Sequence, residues 1–204
     1  MDRVANHQVY AYIDQEGGYG QALAAGLQKA WRHHPGLQLR IADASRAGRP
    51  GWLRRGDGFL ITPNHDQAAT LLRDHDSPTI LLSNRYPDLP QPVISADRVA
   101  GGRLAARFFI ERGFRCFVYL GHASVGALDE RLQGFSAELI GAQLAPPVLC
   151  TSEEELRQEL PRLPRPFALF AAVDSLAAKA VRVCQAAGLV VPGEAAVCGM
   201  DDHR

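Results

Sequence analysis

Carboxylates, amides and guanidinium groups recur in this sequence directly after short apolar runs: Asp14, Asp43, Thr62, Asn84-Arg85, Gly121-His122, Asp174 and Asp201 all stand there. If those runs are parallel strands, their carboxyl ends form the edge at which α/β sheets bind ligands. Several acids together with amides and arginines suit a neutral, polyhydroxylated molecule. A carboxylate accepts pairs of hydroxyl hydrogen bonds, Arg and Asn donate back, and a ring such as that of Tyr19 covers the apolar face of a sugar. The competing use of each acid is to cap the helix that follows it, the commonest task of an aspartate in that place.

Motifs for catalysis fail on spacing. Gly18, Gly20 and the later Asp43 imitate a dinucleotide-binding turn for a nicotinamide-dependent enzyme. Leu23, however, stands where a third glycine would let helix and strand pack closely. Gly121-His122-Ala123-Ser124-Val125-Gly126 carries one residue too many before the serine to form a nucleophile elbow. The histidines His33, His34, His65, His75, His122 and His203 have no partner four residues away on one helix face, and read as solvated surface residues. Cys116, Cys150, Cys184 and Cys198 form no C-x-x-C pair, and three lie in apolar runs, as buried free thiols do. Arg46, Arg49, Arg54 and Arg55, with Trp52, read as a solvated connector. The expectation is a chain without catalytic residues, cofactor or metal.

The elements that must hold these groups alternate along the chain. Strands are predicted at 8–13, 37–42, 58–61, 79–82, 93–95, 116–120, 147–149, 167–171 and 195–198. Helices are predicted at 19–31, 65–73, 97–112, 125–139, 152–160 and 175–187. Asp97 is the N-cap of its helix, on which Leu104 and Phe108 sit one turn apart, and Gly113 is its stop. Short apolar strands separated by helices imply parallel sheets covered on both faces. Three prolines within residues 86–92 mark an extended connector. The fold class is therefore α/β, with two doubly wound parallel-sheet lobes at 1–95 and 96–204. The second lobe stops at Gly199-Met200-Asp201-Asp202-His203-Arg204 with no closing helix, and reads as truncated.

Composition bounds the partners. The 204 residues are 47% hydrophobic, with 22 basic against 22 acidic side chains. That neutral balance excludes a chain whose whole surface grips nucleic acid, because phosphate binding needs an excess of cations. No run approaches the roughly 20 apolar residues needed to span a bilayer, and residues 1–8 lack the pattern of a secretory leader. A cytoplasmic protein without membrane contact is expected.

Several segments resemble a known family. Ile94-Ser95-Ala96-Asp97 with Gly102, residues 105–109 and Gly113-Phe114-Arg115 are similar to the lobe-crossing helix of LacI/GalR-type sugar-binding domains. Asp129-Glu130-Arg131-Leu132-Gln133-Gly134-Phe135 resembles their R-x-x-G-F helix. Residues 167–174 resemble their apolar strand ending in Asp, and Gly188 to Asp202 their G-x-x-V-P…V-x-G-x-D-D ending. The opening half, with Tyr19, Gly26, Trp52-Leu53 and Gly56-Asp57-Gly58, also resembles xylose-operon regulators of the AraC type, which carry the sugar-sensing part first and paired helix-turn-helix DNA-binding segments last.

The resemblance implies a type I periplasmic-binding-protein-like fold and an effector site. Arg131, Asp174 and Asp201 would contact the sugar from one lobe, and Asp14, Tyr19, Asn84 and Arg85 from the other. It implies a sugar effector, a pentose such as xylose by the xylose-regulator likeness. It also implies operator DNA bound through a domain absent from this chain, and a homodimer. Val173 departs from the Asn that many sugar repressors carry before the Asp, which removes one polar contact. A periplasmic sugar-binding transport protein is the alternative reading of the same fold.

Overall fold

A computed structural model of the chain describes residues 7–15, 18–47, 56–63, 65–121 and 129–201, with Arg46 by its backbone alone. The chain divides into two compact units, Met1–Ala96 and Asp97–Arg204. The first holds β1 (His7–Ile13), α1 (Gly18–Trp31), β2 (Leu37–Asp43), β3 (Gly58–Ile61), α2 (Asp66–Arg73) and β4 (Thr79–Leu81). Its four strands run parallel in the order β2-β1-β3-β4.

Strand alternation builds this unit's two cores. Tyr12, Phe59, Ile61 and Leu81 point to one face and pack with Ala68, Ala69 and Leu72 of α2. Ala11, Ile13, Leu60 and Ile80 point to the other and pack with Leu23, Ala24 and Leu27 of α1. Successive residues of a strand face opposite sides, so a two-residue period supplies both layers. The register pairs Ile13 with Asp43, Tyr12 with Ile61, and Ile61 with Leu81, which levels the carboxyl ends at one edge.

The second unit repeats that order. It holds α3 (Arg98–Glu111), β5 (Phe117–Leu120), α4 (Glu130–Gly141), β6 (Val148–Cys150), α5 (Glu153–Glu159), β7 (Phe167–Ala171), α6 (Asp174–Ala186) and β8 (Ala195–Cys198). The parallel sheet runs β6-β5-β7-β8. Every residue of β5 and β7 is buried, as expected of central strands covered on both faces. Phe117, Tyr119, Phe135 and Phe170 interlock at this core, with Phe135 and Phe170 ring centroids 5.2 Å apart.

Helices α3 and α4 touch backbone to backbone through two glycines. A Cβ on Gly102 would lie 2.0 Å from the carbonyl oxygen of Arg131, and one on Gly134 would lie 2.0 Å from that of Val99. Each glycine thus seats a carbonyl of the other helix. Arg107 closes the far end of the pair with a two-pronged contact to Glu138 at 2.7 and 3.2 Å.

Several local expectations change. Residues 93–95 form no strand. Val93 makes one isolated bridge to Leu81, because Pro92 has no N–H to extend a ladder and the chain soon turns into the Asp97 cap. Helix α4 starts at Glu130 rather than 125, since Asp129 adopts the extended cap conformation and accepts from the Arg131 amide; residues 122–128 lie outside the described residues. Leu104 and Phe108 are exposed, because the buried face of α3 is the small-residue stripe of Gly102, Ala105 and Ala106 with Phe109. Two short 3-10 turns at Ala44–Arg46 and Leu160–Arg162 complete the connections.

Gly102→Ala and Gly134→Ala should each lose about 1–3 kcal/mol, because a backbone carbonyl cannot yield to the added methyl. Gly26→Ala, on exposed α1 with nothing within 4 Å of the new Cβ, should gain about 1 kcal/mol from helix propensity. Urea unfolding of the three variants checks the opposite signs.

Candidate functional site

At the edge of the first sheet, α1 enters directly over the end of β1. A Cβ on Gly20 would lie 1.6 Å from the carbonyl oxygen of Asp14, so only glycine lets the helix start so close. That approach holds Asp14, half-buried, and Tyr19, exposed in the first turn, near the strand end. Asn84 and Arg85 follow β4, where the amide of Arg85 donates to Ser83 Oγ at 3.3 Å. The Arg85 guanidinium lies 5.8 Å from the centre of the Tyr86 ring. Thr62, after β3, has a buried Oγ1 with no hydrogen-bond partner among the described residues.

These details weaken a dinucleotide site. The space left by Gly20 is filled by a carbonyl oxygen, an acceptor that repels phosphate. The Asp43 carboxylate accepts from the Ser45 amide at 2.8 Å, capping the 3-10 turn rather than presenting itself to a ribose.

The second edge is built by β5, β7 and β8 with the N-termini of α4 and α6. Asp174 is the first residue of α6. Its amide donates to the Met200 carbonyl at 3.0 Å, and a Cβ on Gly199 would lie 2.2 Å from its Oδ1. Val173 holds the N-cap position without a side-chain cap, as an apolar residue must. Asp201, half-buried, sits at φ +117°, a conformation costly for a residue with a side chain. Met200 reaches α3, where a Cβ on Gly101 would lie 2.7 Å from its Cε.

Arg131 is the second residue of α4, and its carbonyl is the one seated by Gly102. Its side chain is 16% exposed, and Nη1 lies 3.7 Å from Asp129 Oδ1. Its Nε is buried without a hydrogen-bond partner among the described residues. Asp129, 5% exposed, accepts from the Arg131 amide through Oδ1 at 3.0 Å and from the Tyr119 hydroxyl through Oδ2 at 2.5 Å. Burial, reinforced by donation to this carboxylate, pushes the Tyr119 phenol well above its ordinary value. Tyr119 and Asp129 were not singled out from sequence as separate site residues. The available signals were a lone hydroxyl in the strand Phe-Val-Tyr-Leu and an aspartate two residues before an arginine at a helix start.

In the first unit Asp14 follows β1, Asn84 and Arg85 follow β4, and Tyr19 lies in the first turn of α1; in the second, Asp174 and Asp201 follow β7 and β8, and Arg131 lies in the first turn of α4. Two histidines depart from the solvated reading: His65 caps α2 through Nδ1, accepting from Ala68 at 3.1 Å, and His75 packs edge-on against Phe59. The four thiols are free, and burial pushes that of Cys150 up to about 11. Among the described residues no cluster of His, Cys, Asp and Glu could hold a metal, and no helix is long and apolar enough to cross a membrane. The Gly121–Gly126 turn beyond its first residue, Trp52-Leu53 and the arginines Arg49, Arg54 and Arg55 lie outside the described residues.

The family match lies within the second unit. Residues 106–204 match the family described as periplasmic binding protein-like domain. The HTH-type transcriptional regulator CelR of Thermobifida fusca is 31% identical over 160 residues, covering 72% of this chain. The chain spans only 47% of that regulator's length. A CelR–cellobiose complex shares the fold with a TM-score of 0.77 at 24% identity, over 99% of this chain and 69% of the other. A LacI-family transcriptional regulatory protein from Corynebacterium glutamicum gives 0.73 at 18% identity, over 97% and 77%. The xylose-binding transcription activator xylR gives 0.80 at 20% identity, over 96% and 54%.

The AraC-type assignment is overturned. Sequence similarity runs to CelR and to the periplasmic binding protein-like family, and at its low identity the xylose-binding activator shares the fold alone. Two residues of the opening-half likeness, Gly56 and Asp57, have a local structural task. Asp57 accepts from the Gln8 amide through Oδ2 and donates its own amide to the Gln8 carbonyl, both at 2.8 Å, while Gly56 lies against the Tyr10 ring. Those residues close the start of β1, and their pattern carries no information about a DNA-binding segment.

Because the folded state holds Tyr119 protonated, its contribution to stability is intact below the ordinary phenol value of 10.0 and is lost as pH rises above it. Above that point the unfolded chain ionises this residue and the folded chain does not, removing up to about 1.4 kcal/mol per pH unit. Urea unfolding between about pH 9 and about pH 11 should show this slope, and Tyr119→Phe should be the less steep of the two.

Proposed function

We propose that this chain is the effector-sensing part of a sugar-responsive transcriptional regulator of the LacI/GalR type. Both units are assigned as effector-binding lobes. Arg131, Asp174 and Asp201 are the contacts from the second, and Asp14, Tyr19, Asn84 and Arg85 those from the first. The observation that carries the reading is Arg131: a guanidinium largely withdrawn from water, with one buried N–H that has no acceptor among the described residues. A buried donor without a partner costs about 1–3 kcal/mol, a cost a hydroxyl or ring oxygen removes on binding. The strained backbone at Asp201 supports it, since strain of this kind gathers at ligand clamps.

The function is binding that shifts an equilibrium, with no bond made or broken. A sugar changes the balance between two states of the regulator only by its differential affinity for them. Operator DNA is then read through a helix-turn-helix module outside these residues, by a homodimer in the cytoplasm. The similarity to CelR and to the periplasmic binding protein-like family supports this reading, and the cellobiose named in the CelR complex makes a β-linked disaccharide a candidate effector beside a pentose. Paired carboxylates and a guanidinium suit either, because both present neighbouring hydroxyls.

Calorimetric titration with cellobiose and with D-xylose tests the proposal. One of the two should bind the wild-type chain, and Arg131→Ala should lose about 2–5 kcal/mol of that affinity. Equal affinity in wild type and variant would refute the Arg131 assignment; no heat with either sugar refutes them as effectors.

A further inference from the structure

We infer that Tyr119 is a positioning residue for Arg131, acting through the carboxylate of Asp129; its effect on ligand binding rests on the effector-sensing reading above. Asp129 is a buried acid whose two oxygens have separate duties. Oδ1 accepts the Arg131 amide and so fixes the first turn of α4, while Oδ2 accepts the Tyr119 hydroxyl. With both oxygens engaged, the guanidinium stands 3.7 Å away at charge distance. It is held near Asp129 without being locked into the two-pronged contact that Arg107 makes with Glu138 on the same helix pair. The Nε of Arg131 is left buried, with no hydrogen-bond partner among the described residues.

Tyr119 is suited to this task because its ring cannot drift. It is 3% exposed, packs edge-on against Phe170 at 5.6 Å and lies 6.5 Å from Phe135. Its hydroxyl is therefore a fixed donor, delivered from a central strand to the base of α4. The backbone of Arg131 is fixed independently by Gly102 of α3. Two constraints from different elements thus converge on one arginine, the first setting its main chain and the second the partner of its side chain.

Removing the hydroxyl leaves Oδ2 buried and without its donor. A donor already stands beside Asp129, the Arg131 guanidinium with Nη1 3.7 Å from Oδ1, and planar arginine matches a carboxylate with two parallel bonds. In Tyr119→Phe the arginine turns onto Asp129 and its free N–H groups are withdrawn from ligand. The protein keeps its charge count and its aromatic core, yet loses a pre-oriented donor.

The test follows the Arg131 Nε–Hε resonance in 1H–15N spectra of the unliganded full chain, assigned by its disappearance in Arg131→Lys. Wild type should give one resonance slow to exchange with water, and Tyr119→Phe should move it. Asp129→Asn is the second variant, should Tyr119→Phe fail to fold, and should move it too. An unmoved resonance in a folded variant overturns the inference. In parallel, calorimetry with cellobiose and D-xylose should give about tenfold weaker binding in Tyr119→Phe, the effect of about one hydrogen bond. Unchanged affinity with a shifted resonance overturns the binding role. A wild type that binds neither sugar bears on the sensing reading, while the resonance still decides whether Tyr119 positions Arg131.

Discussion

The reciprocal glycine contact between α3 and α4 governs what the second unit can do. Gly102 seats the carbonyl of Arg131 and Gly134 seats that of Val99, each with no room for a methyl. At that separation the helix axes are fixed by backbone atoms rather than by side chains able to repack. The first turn of α4, which carries the Asp129 cap and the Arg131 guanidinium, inherits that precision. The same stretch of α3 places Gly101 under Met200, so the segment after β8 leans on the helix that sets α4.

Both units use parallel strands in one order, and register aligns their carboxyl ends. Burial then sorts the polar groups. Side chains within the central strands are apolar because both faces are covered, and charge is admitted at the edge where the strands stop. At that edge the acids divide by what their carboxylates meet. Asp43 caps a 3-10 turn and Asp129 caps α4, whereas Asp174 stands one residue inside α6 behind a Val173 that caps nothing. A cap and a ligand contact are alternative uses of the same residue type, and local backbone geometry selects between them.

Much of the fold was legible because its signals are local. Strands such as Phe167–Ala171 and Ala195–Cys198 were read to the residue, being apolar runs bounded by turn residues. The Asp97 cap was read from an aspartate preceding a helical stripe. Misreadings arose where a partner element decides. Leu104 and Phe108 have helical spacing yet face outward, because α4 demands glycine and alanine on the contacting side of α3. His75, in the connection after α2, has no sequence neighbour that announces its packing, since the Phe59 it meets comes from β3. The AraC likeness rested in part on Gly56 and Asp57, which in this chain serve the closure of β1.

The sequence alone determined the alternation of strands and helices, the division into two α/β units and the recurrence of acids and arginines at strand ends. Those features follow from periodicity and capping, which act over a few residues. Tertiary structure decided which of those groups are committed to the backbone and which stand beside a buried donor without a partner among the described residues. The linkage of Tyr119 to Asp129 and Arg131 spans a strand and a helix start, and the seating of Arg131 by Gly102 spans two helices. Neither has a sequence period, because hydrogen bonding and close packing depend on distance in space, and only the folded chain sets that distance.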